Sequence, residues 1–307
     1  MSKPLTPSER ALNVGSAQAK FDAIRVDFPP QTSAMAILDE VRIAALHRPT
    51  GAICGGAMIV APHGAGKSEA VKGLSRILEK NADEGQTILL HVEIDTAGTT
   101  DSVPTSILQA FGAARPEAGS EKARWPRAIA EIARKGVQLI VFDEFDLAAR
   151  RPTMSGPIAN IIRQKIMDAG LAPVAFVGSE KANSVLAQVP QLRERLDDSV
   201  DLSPLRWTSN GDQELFLSFV GDLDRAMVDA EIVDCEAGLR EEEIAYPLWR
   251  ASEGSLRRIC KIVRHAMSTA LREDRRFIGR EDLINAVDGY AIANGFGAHN
   301  PFDEGGA

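Results

Sequence analysis

The sequence predicts an α/β fold, a parallel sheet flanked by helices, followed by a small all-helical domain. Three observations carry this. Short apolar or β-branched runs at Ala57–Val60, Thr87–Ile94, Gln138–Phe142, Ala172–Val177 and Ser199–Leu202 alternate with segments of helical periodicity. Such alternation implies crossover connections, which place parallel strands between two helical layers. A glycine-rich stretch, Ala61-Pro-His-Gly-Ala-Gly-Lys-Ser68, joins the first run to a helix-like segment, Glu69–Leu78. The alternation stops near Pro204–Gly211, where Thr-Ser-Asn-Gly breaks the pattern, and the rest reads as helix over 212–230, 240–251, 254–273 and 281–292. The expected boundaries are an N-terminal extension over 1–30, the α/β domain over 31–205, the helical domain over 206–295 and a tail over 296–307.

Taken in order, Gln31–His47 is expected to be a helix leading into the sheet domain. Ser106–Phe111 and Ile158–Met167 carry helical periodicity between strands. In the helical domain, Ser255 is the expected N-cap of a helix whose apolar stripe is Leu256, Ile259, Cys260, Val263, Met267, Ala270 and Leu271. Trp125, Trp207 and Trp249 are dispersed along the chain, so no aromatic platform for stacking bases is expected.

At 307 residues the chain has room for two domains and a well-buried core. No apolar run reaches membrane-spanning length and residues 1–10 lack the apolar core of a signal peptide, so a cytoplasmic protein without a membrane partner is expected. Cys54, Cys235 and Cys260 are odd in number and widely spaced, which fits a reducing compartment and argues against a disulfide framework or zinc site. The formal charge of −8 hides a polarity: residues 211–243 hold eleven acidic and two basic side chains, and residues 250–280 nine basic and three acidic. Net acidity argues against a generic nucleic-acid coat but leaves room for one basic face.

The glycine-rich stretch is where the chemistry concentrates. Strand, tight turn and helix in that order let backbone N–H groups of His63, Gly64, Ala65 and Gly66 point at phosphate oxygens, with the helix N-terminus adding its positive end. Lys67 would reach the β- and γ-phosphates, and the Ser68 hydroxyl would sit on Mg²⁺. His63 is expected to shape the turn rather than to do chemistry. A second element, Leu139-Ile-Val-Phe-Asp143-Glu144, delivers two carboxylates at the end of a buried strand. Asp143 suits Mg²⁺, and Glu144 suits orienting and polarising an attacking water. Ser179, at the end of the next strand, can report on phosphate or simply cap the following helix. Arg193 and Arg195 end a helix before the last strand. From there an arginine can cross to a neighbouring subunit's nucleotide, or merely serve as helix C-terminal charge or a surface ion pair. Arg257 opens a lid helix and can fold over a nucleotide, or belong with Lys261, Arg264 and Arg272 to a solvated basic face.

Together these segments resemble an AAA+ ATPase, a P-loop NTPase with a helical lid, and within that superfamily the TniB/TnsC group of transposition regulators. The loop at 61–68 resembles Walker A, with Ala61 where a glycine is usual, and Val141-Phe-Asp-Glu144 resembles Walker B. The most family-like stretch runs from Val174-Ala-Phe-Val-Gly-Ser-Glu-Lys-Ala182 through Pro190-Gln-Leu-Arg-Glu-Arg-Leu196 to Pro204-Leu-Arg-Trp207. Ser179 stands there for the family's threonine and Leu196 for its phenylalanine. The resemblance implies ATP and Mg²⁺ as ligands, Lys67 and Ser68 at the phosphates and metal, Asp143 on the metal and Glu144 as catalytic base. It further implies Ser179 as sensor 1, Arg195 as arginine finger with Arg193 as fallback, and Arg257 as sensor 2.

The function implied is an ATPase that assembles as a homo-oligomeric ring or helical filament on double-stranded DNA, without sequence preference, and recruits a transposase together with target-selection proteins. The lid helix, through Lys261 and Arg264, or Lys122, Arg124 and Arg127 would supply the DNA contacts. Rival readings are a replication initiator or helicase loader of the same superfamily, a small-molecule kinase, and an ATP-gated scaffold that barely turns over. The initiator reading calls for a DNA-reading domain after the lid, which the chain beyond Tyr290 is not expected to supply.

Overall fold

In this computed structural model the described residues are 6–94, 98–150, 152–197, 200 and 202–303. They form two compact units, one from Pro30 to Ser203, the other joining residues up to Pro29 with those from Pro204 onward. Helix α1 (Pro7–Ala23) belongs to the second unit, and α2 (Pro29–Leu46) leads into the first. The first unit continues with β1 (Gly56–Val60), α3 (Lys67–Glu79), β2 (Leu89–Glu93), α4 (Ser102–Ala110), α5 (Glu121–Arg134), β3 (Leu139–Asp143), α6 (Pro152–Ile162), β4 (Val174–Gly178), α7 (Lys181–Leu186), α8 (Pro190–Arg193) and β5 (Leu196–Asp197).

The five strands are parallel in the order β2-β3-β4-β1-β5. Period-two alternation sorts their side chains onto two faces. Ala57, Ile59, Leu139, Val141, Ala175 and Val177 pack with Leu38, Val71 and Leu74 of α2 and α3. Ile140, Phe142, Val174 and Phe176 pack with Trp125, Ile132, Ile158 and Val185 on the opposite side. Both faces being covered, β3 and β4 are buried at every position, as their continuous apolar sequences require. Because β4 lies between β1 and β3, its carboxyl end falls between the ends of the other two, which is how three distant segments come to one place.

Two elements differ from expectation. The last strand is not Ser199–Leu202. Of that run, 199 and 201 lie outside the described residues, and Val200 and Leu202 are buried without strand pairing. The edge strand is instead Leu196–Asp197, because Gly56 N–H donates to the Arg195 carbonyl (3.0 Å) and so starts β5 where β1 starts. The helix expected over Ile158–Met167 changes at Ile162 into a π turn, Arg163–Met167, closed by Asp168 N–H to the Arg163 carbonyl (2.8 Å).

The second unit holds α1, α9 (Asn210–Asp229), α10 (Glu242–Ser252), α11 (Leu256–Arg272) and α12 (Arg280–Ala286), the last running into a π turn, Val287–Ile292. Phe216, Leu248, Ile259, Val263 and Leu283 form its core, joined by Val14, Ala17 and Phe21 of α1. Sequence periodicity did not suggest α1, although Thr6 and Glu9 form a reciprocal capping box with proline at the first helical position. Gly254 joins α10 to α11 at φ +70°, and a Cβ there would stand 2.0 Å from the Leu205 carbonyl oxygen. Ser255 occupies the N-cap position of α11 but makes no side-chain capping bond. Cys260 packs against the core as expected, and burial pushes its thiol up to about 11. The tryptophans are not all dispersed: Trp207, ahead of α9, lies 5.6 Å from Trp249 of α10 and also packs on Tyr246 of the same helix. Among the described residues no helix is long and apolar enough to cross a membrane.

Candidate nucleotide site

Ala61 N–H donates to the Gly178 carbonyl (3.1 Å), tying the start of the loop to the end of β4. Ala61 is buried in the core beneath α2 and α3 and lies outside the left-handed region, so its methyl fits where a glycine is usual. Gly64 and Gly66 are the residues whose conformation the turn needs, at φ +84° and +88°. Gly66 caps α3, and Gln31 Nε2 of α2 donates to its carbonyl (3.3 Å). Ala65 is buried, while His63 is exposed at the turn. Lys67, the first residue of α3, is 8% exposed and donates through Nζ to the Ala61 (2.6 Å) and Pro62 (2.8 Å) carbonyls. Burial pushes its ammonium below the usual lysine range, against the opposing pull of the Asp143, Asp146 and Glu144 carboxylates.

Asp143 ends β3 almost fully buried and gathers three donors. His91 Nε2 of β2 is 3.1 Å from Oδ2, Glu144 N–H donates to Oδ1 (2.8 Å), and the Ser68 hydroxyl bonds the same carboxylate. Burial alone would raise its pKa; the hydrogen bonds from His91, Ser68 and Glu144 N–H outweigh it and hold the carboxyl below the usual range. Glu144 turns the chain out of the strand at φ +51°, a left-handed conformation that costs a non-glycine residue about 1–3 kcal/mol, and its side chain is exposed at the strand end. A 3₁₀ turn, Phe145–Arg150, follows, and from it Asp146 Oδ1 accepts the Ser179 N–H (3.0 Å). Loop, acid pair and Ser179 therefore meet at the carboxyl edge of three adjacent strands.

The arginines are placed differently from one another. Arg195 is ion-paired within the chain to Asp168, whose other oxygen takes Arg163 (2.7 Å). Arg193 is exposed on α8 with no ion pair to a described residue. Arg257 is exposed in the first turn of α11, in the helical unit.

Among the described residues no three His, Cys, Asp or Glu side chains form a metal cage of their own. That suits Mg²⁺, which takes one or two protein ligands and completes its shell with phosphate and water. A hydroxyl and a carboxylate already in contact, Ser68 and Asp143, beside a buried lysine and two glycines in left-handed geometry, fit a Mg²⁺–nucleotide. Sequence reasoning missed His91, Gln31 and Asp146. Asp146 had a signal, a third carboxylate in Asp143-Glu-Phe-Asp146; His91 and Gln31 had none, since strand pairing and helix packing alone bring them here.

This strand order, with a phosphate loop after β1 and an acid pair ending β3 across β4, defines the AAA+ P-loop fold. Residues 53–186 match the AAA domain family. The solved structures similar to the whole chain include the Aeropyrum pernix ORC1 protein in complex with DNA (18% identity, TM-score 0.65, covering 89% of this chain and 69% of that one). The Aeropyrum pernix ORC2 protein in its ADPNP–ADP complexes is also similar (14% identity, TM-score 0.61, 88% and 71%), as is Pyrobaculum aerophilum Cdc6p (14% identity, TM-score 0.57, 88% and 70%). At these identities the likeness is one of fold. No curated protein sequence matches the chain.

Proposed function

We propose that this protein binds ATP with Mg²⁺, hydrolyses it to ADP and phosphate, and works as a cytoplasmic homo-oligomer on double-stranded DNA. The observation that carries the catalytic part is the junction of Lys67, Ser68 and Asp143, a buried cation and a hydroxyl–carboxylate contact at the mouth of a glycine turn. Lys67 neutralises the β- and γ-phosphate oxygens, and the loop N–H groups orient them. Mg²⁺, held by Ser68 and Asp143, would supply charge neutralisation between those phosphates. Glu144 takes the proton of the water whose oxygen bonds to the γ-phosphorus as the β–γ bridging bond breaks, the electron pair leaving on ADP. Ser179 senses the γ-phosphate from the end of β4, tied to the Walker B turn through Asp146. Arg257 supplies the second sensor. A finger reaching a neighbour's nucleotide must leave its own subunit. Exposed Arg193 meets that requirement directly, whereas Arg195 would first exchange Asp168 for phosphate.

The finer reading is a regulator of DNA transposition that marks target DNA for a transposase. It rests on the resemblance of the 174–207 segment to the TniB/TnsC group. The replication-initiator reading draws support from the fold likeness to ORC1 in complex with DNA and to Drosophila ORC bound to DNA (14% identity, TM-score 0.55, covering 94% of this chain and 68% of that one). The test is ATP turnover with and without duplex DNA, alongside sedimentation. DNA-stimulated hydrolysis by an oligomer supports the proposal. Phosphoryl transfer to a small acceptor would replace it with a kinase, and binding without turnover would leave a scaffold.

A further inference from the structure

One side chain outside the loop and the acid pair reaches into the site. His91 lies in the middle of β2, which pairs with β3 so that His91 stands opposite Val141 and Glu93 opposite Asp143. Residues two apart on a strand share a face, so the imidazole lies on the same face as Asp143, one pleat back along the neighbouring strand. Its Nε2 is 3.1 Å from Asp143 Oδ2, in a contact where the histidine side chain is 22% exposed and the aspartate 5%.

We propose that His91 is a positioning residue: its Nε2–H fixes the Asp143 carboxylate for Mg²⁺ and thereby sets how strongly Mg²⁺ tightens nucleotide binding. The inference rests on the nucleotide-site reading above. An ionised carboxylate only accepts hydrogen bonds, so Nε2 carries the hydrogen in this contact. The two oxygens are then held from different elements, Oδ2 by the strand partner His91 and Oδ1 by the following Glu144 N–H. Removing His91 leaves Oδ2 without its strand partner and holds the carboxylate less firmly, so the metal must order it further on binding. Partners of this kind behind a metal ligand are worth about ten- to a hundredfold in metal affinity.

The experiment measures ADP affinity calorimetrically, in excess Mg²⁺ and in EDTA, for wild type, His91→Phe and His91→Gln. Phenylalanine keeps the ring volume and strand preference, while glutamine returns an N–H near the Nε2 position. In His91→Phe the Mg²⁺-dependent tightening is expected to fall by about tenfold, with affinity in EDTA unchanged. His91→Gln should recover most of the tightening. Full Mg²⁺ tightening in His91→Phe, an equal loss in EDTA, or no recovery in His91→Gln would each overturn the role. Nitrogen NMR of the wild-type imidazole is independent of whether a variant folds: a hydrogen on Nε2 supports the assignment, and a bare Nε2 sinks it. If wild-type protein shows no Mg²⁺-dependent ADP binding at all, the nucleotide-site reading fails first and this inference with it.

Discussion

Replacing Lys67 with alanine tests the loop at its most committed atom. An ammonium has three N–H donors and no acceptor. Two are spent on the Ala61 and Pro62 carbonyls at 2.6 and 2.8 Å, which leaves one for a phosphate without any rearrangement. The residue is 8% exposed, so water does not take over its role when it is removed. One hydrogen bond to a charged partner contributes about 1.5–3 kcal/mol, which corresponds to about a ten- to 150-fold weaker Kd. This is a lower bound, because surrendering the two carbonyl bonds to reach further phosphate oxygens would add to it. On the proposed role of Lys67 at the β- and γ-phosphates, ADP and ATP should lose affinity while AMP does not. Calorimetric Kd values for ADP and AMP, wild type against Lys67→Ala, give the answer. ADP affinity within about twofold of wild type would refute the assignment, and so would an equal loss for AMP.

Glu144→Gln keeps the shape of the side chain and should bind ATP normally while single-turnover hydrolysis slows by about a hundredfold or more; wild-type turnover would make Glu144 a solvated strand end. Asp282 is clamped by Arg275 (2.8 and 2.7 Å) and by Gly279 N–H (2.8 Å), so Asp282→Asn should destabilise the protein by about 2 kcal/mol at pH 7 in urea melts. Burial opposes ionisation there, but the bonds from Arg275 and Gly279 N–H hold the folded pKa below its ordinary 3.8. The unfolded chain therefore takes up the proton first, and the contribution is complete above about pH 4 and lost as pH falls through the folded value; a gap between wild type and variant that does not narrow on acidification would contradict this. Lys261→Glu with Arg272→Glu should weaken ATP-dependent DNA binding and flatten the slope of log K against log salt by about 0.9 per lost phosphate contact, read by fluorescence anisotropy; an unchanged slope would remove this helix from the interface.

How much was legible from sequence follows from the range of the interactions. The alternation of apolar runs with helical segments located β1 to β4, most sharply β3 and β4, where burial at every position leaves a continuous apolar signature. The last strand was missed because β5 spans two residues and its position is set by the Arg195 carbonyl rather than by hydrophobicity. The meeting of Lys67, Ser68 and Asp143 at one end of the sheet was legible because the glycine-rich loop and the strand-end acids are local sequence patterns. His91, Gln31 and the packing of Trp207 on Tyr246 and Trp249 were not, since these contacts join different segments and depend on strand order or helix packing. Ala61 shows the converse. The alanine in place of the motif's usual glycine is accommodated because the backbone there is ordinary and the methyl is buried.

The same reasoning bears on where DNA could bind. The segment 250–280 carries a net charge of +6, but a sequence counts charges before the fold has spent them. Arg258 is paired with Glu253 and lies over the Phe296 ring, Arg264 holds Asp22 of α1, Arg275 holds Asp282, Arg276 holds Asp234, and Arg280 donates to the Phe302 carbonyl. Of the alternative candidates, Arg124 is buried on Asp101 and Arg127 donates to the carbonyls of Ala118, Ala114 and Arg115, while Lys122 stays exposed on α5 without an ion pair to a described residue. A cation already held by a carboxylate releases little counterion on meeting a phosphate, because the exchange replaces one anion with another. Lys261 and Arg264 therefore differ: Arg264 is ion-paired to Asp22, and Lys261 has no ion pair to a described residue. Arg257, Lys261 and Arg272 remain exposed along α11 without an ion pair to a described residue, at spacings of four and eleven that keep them on one stripe of the helix. That stripe, and not the arithmetic charge of the segment, is the surface whose salt dependence decides whether the helical unit touches DNA.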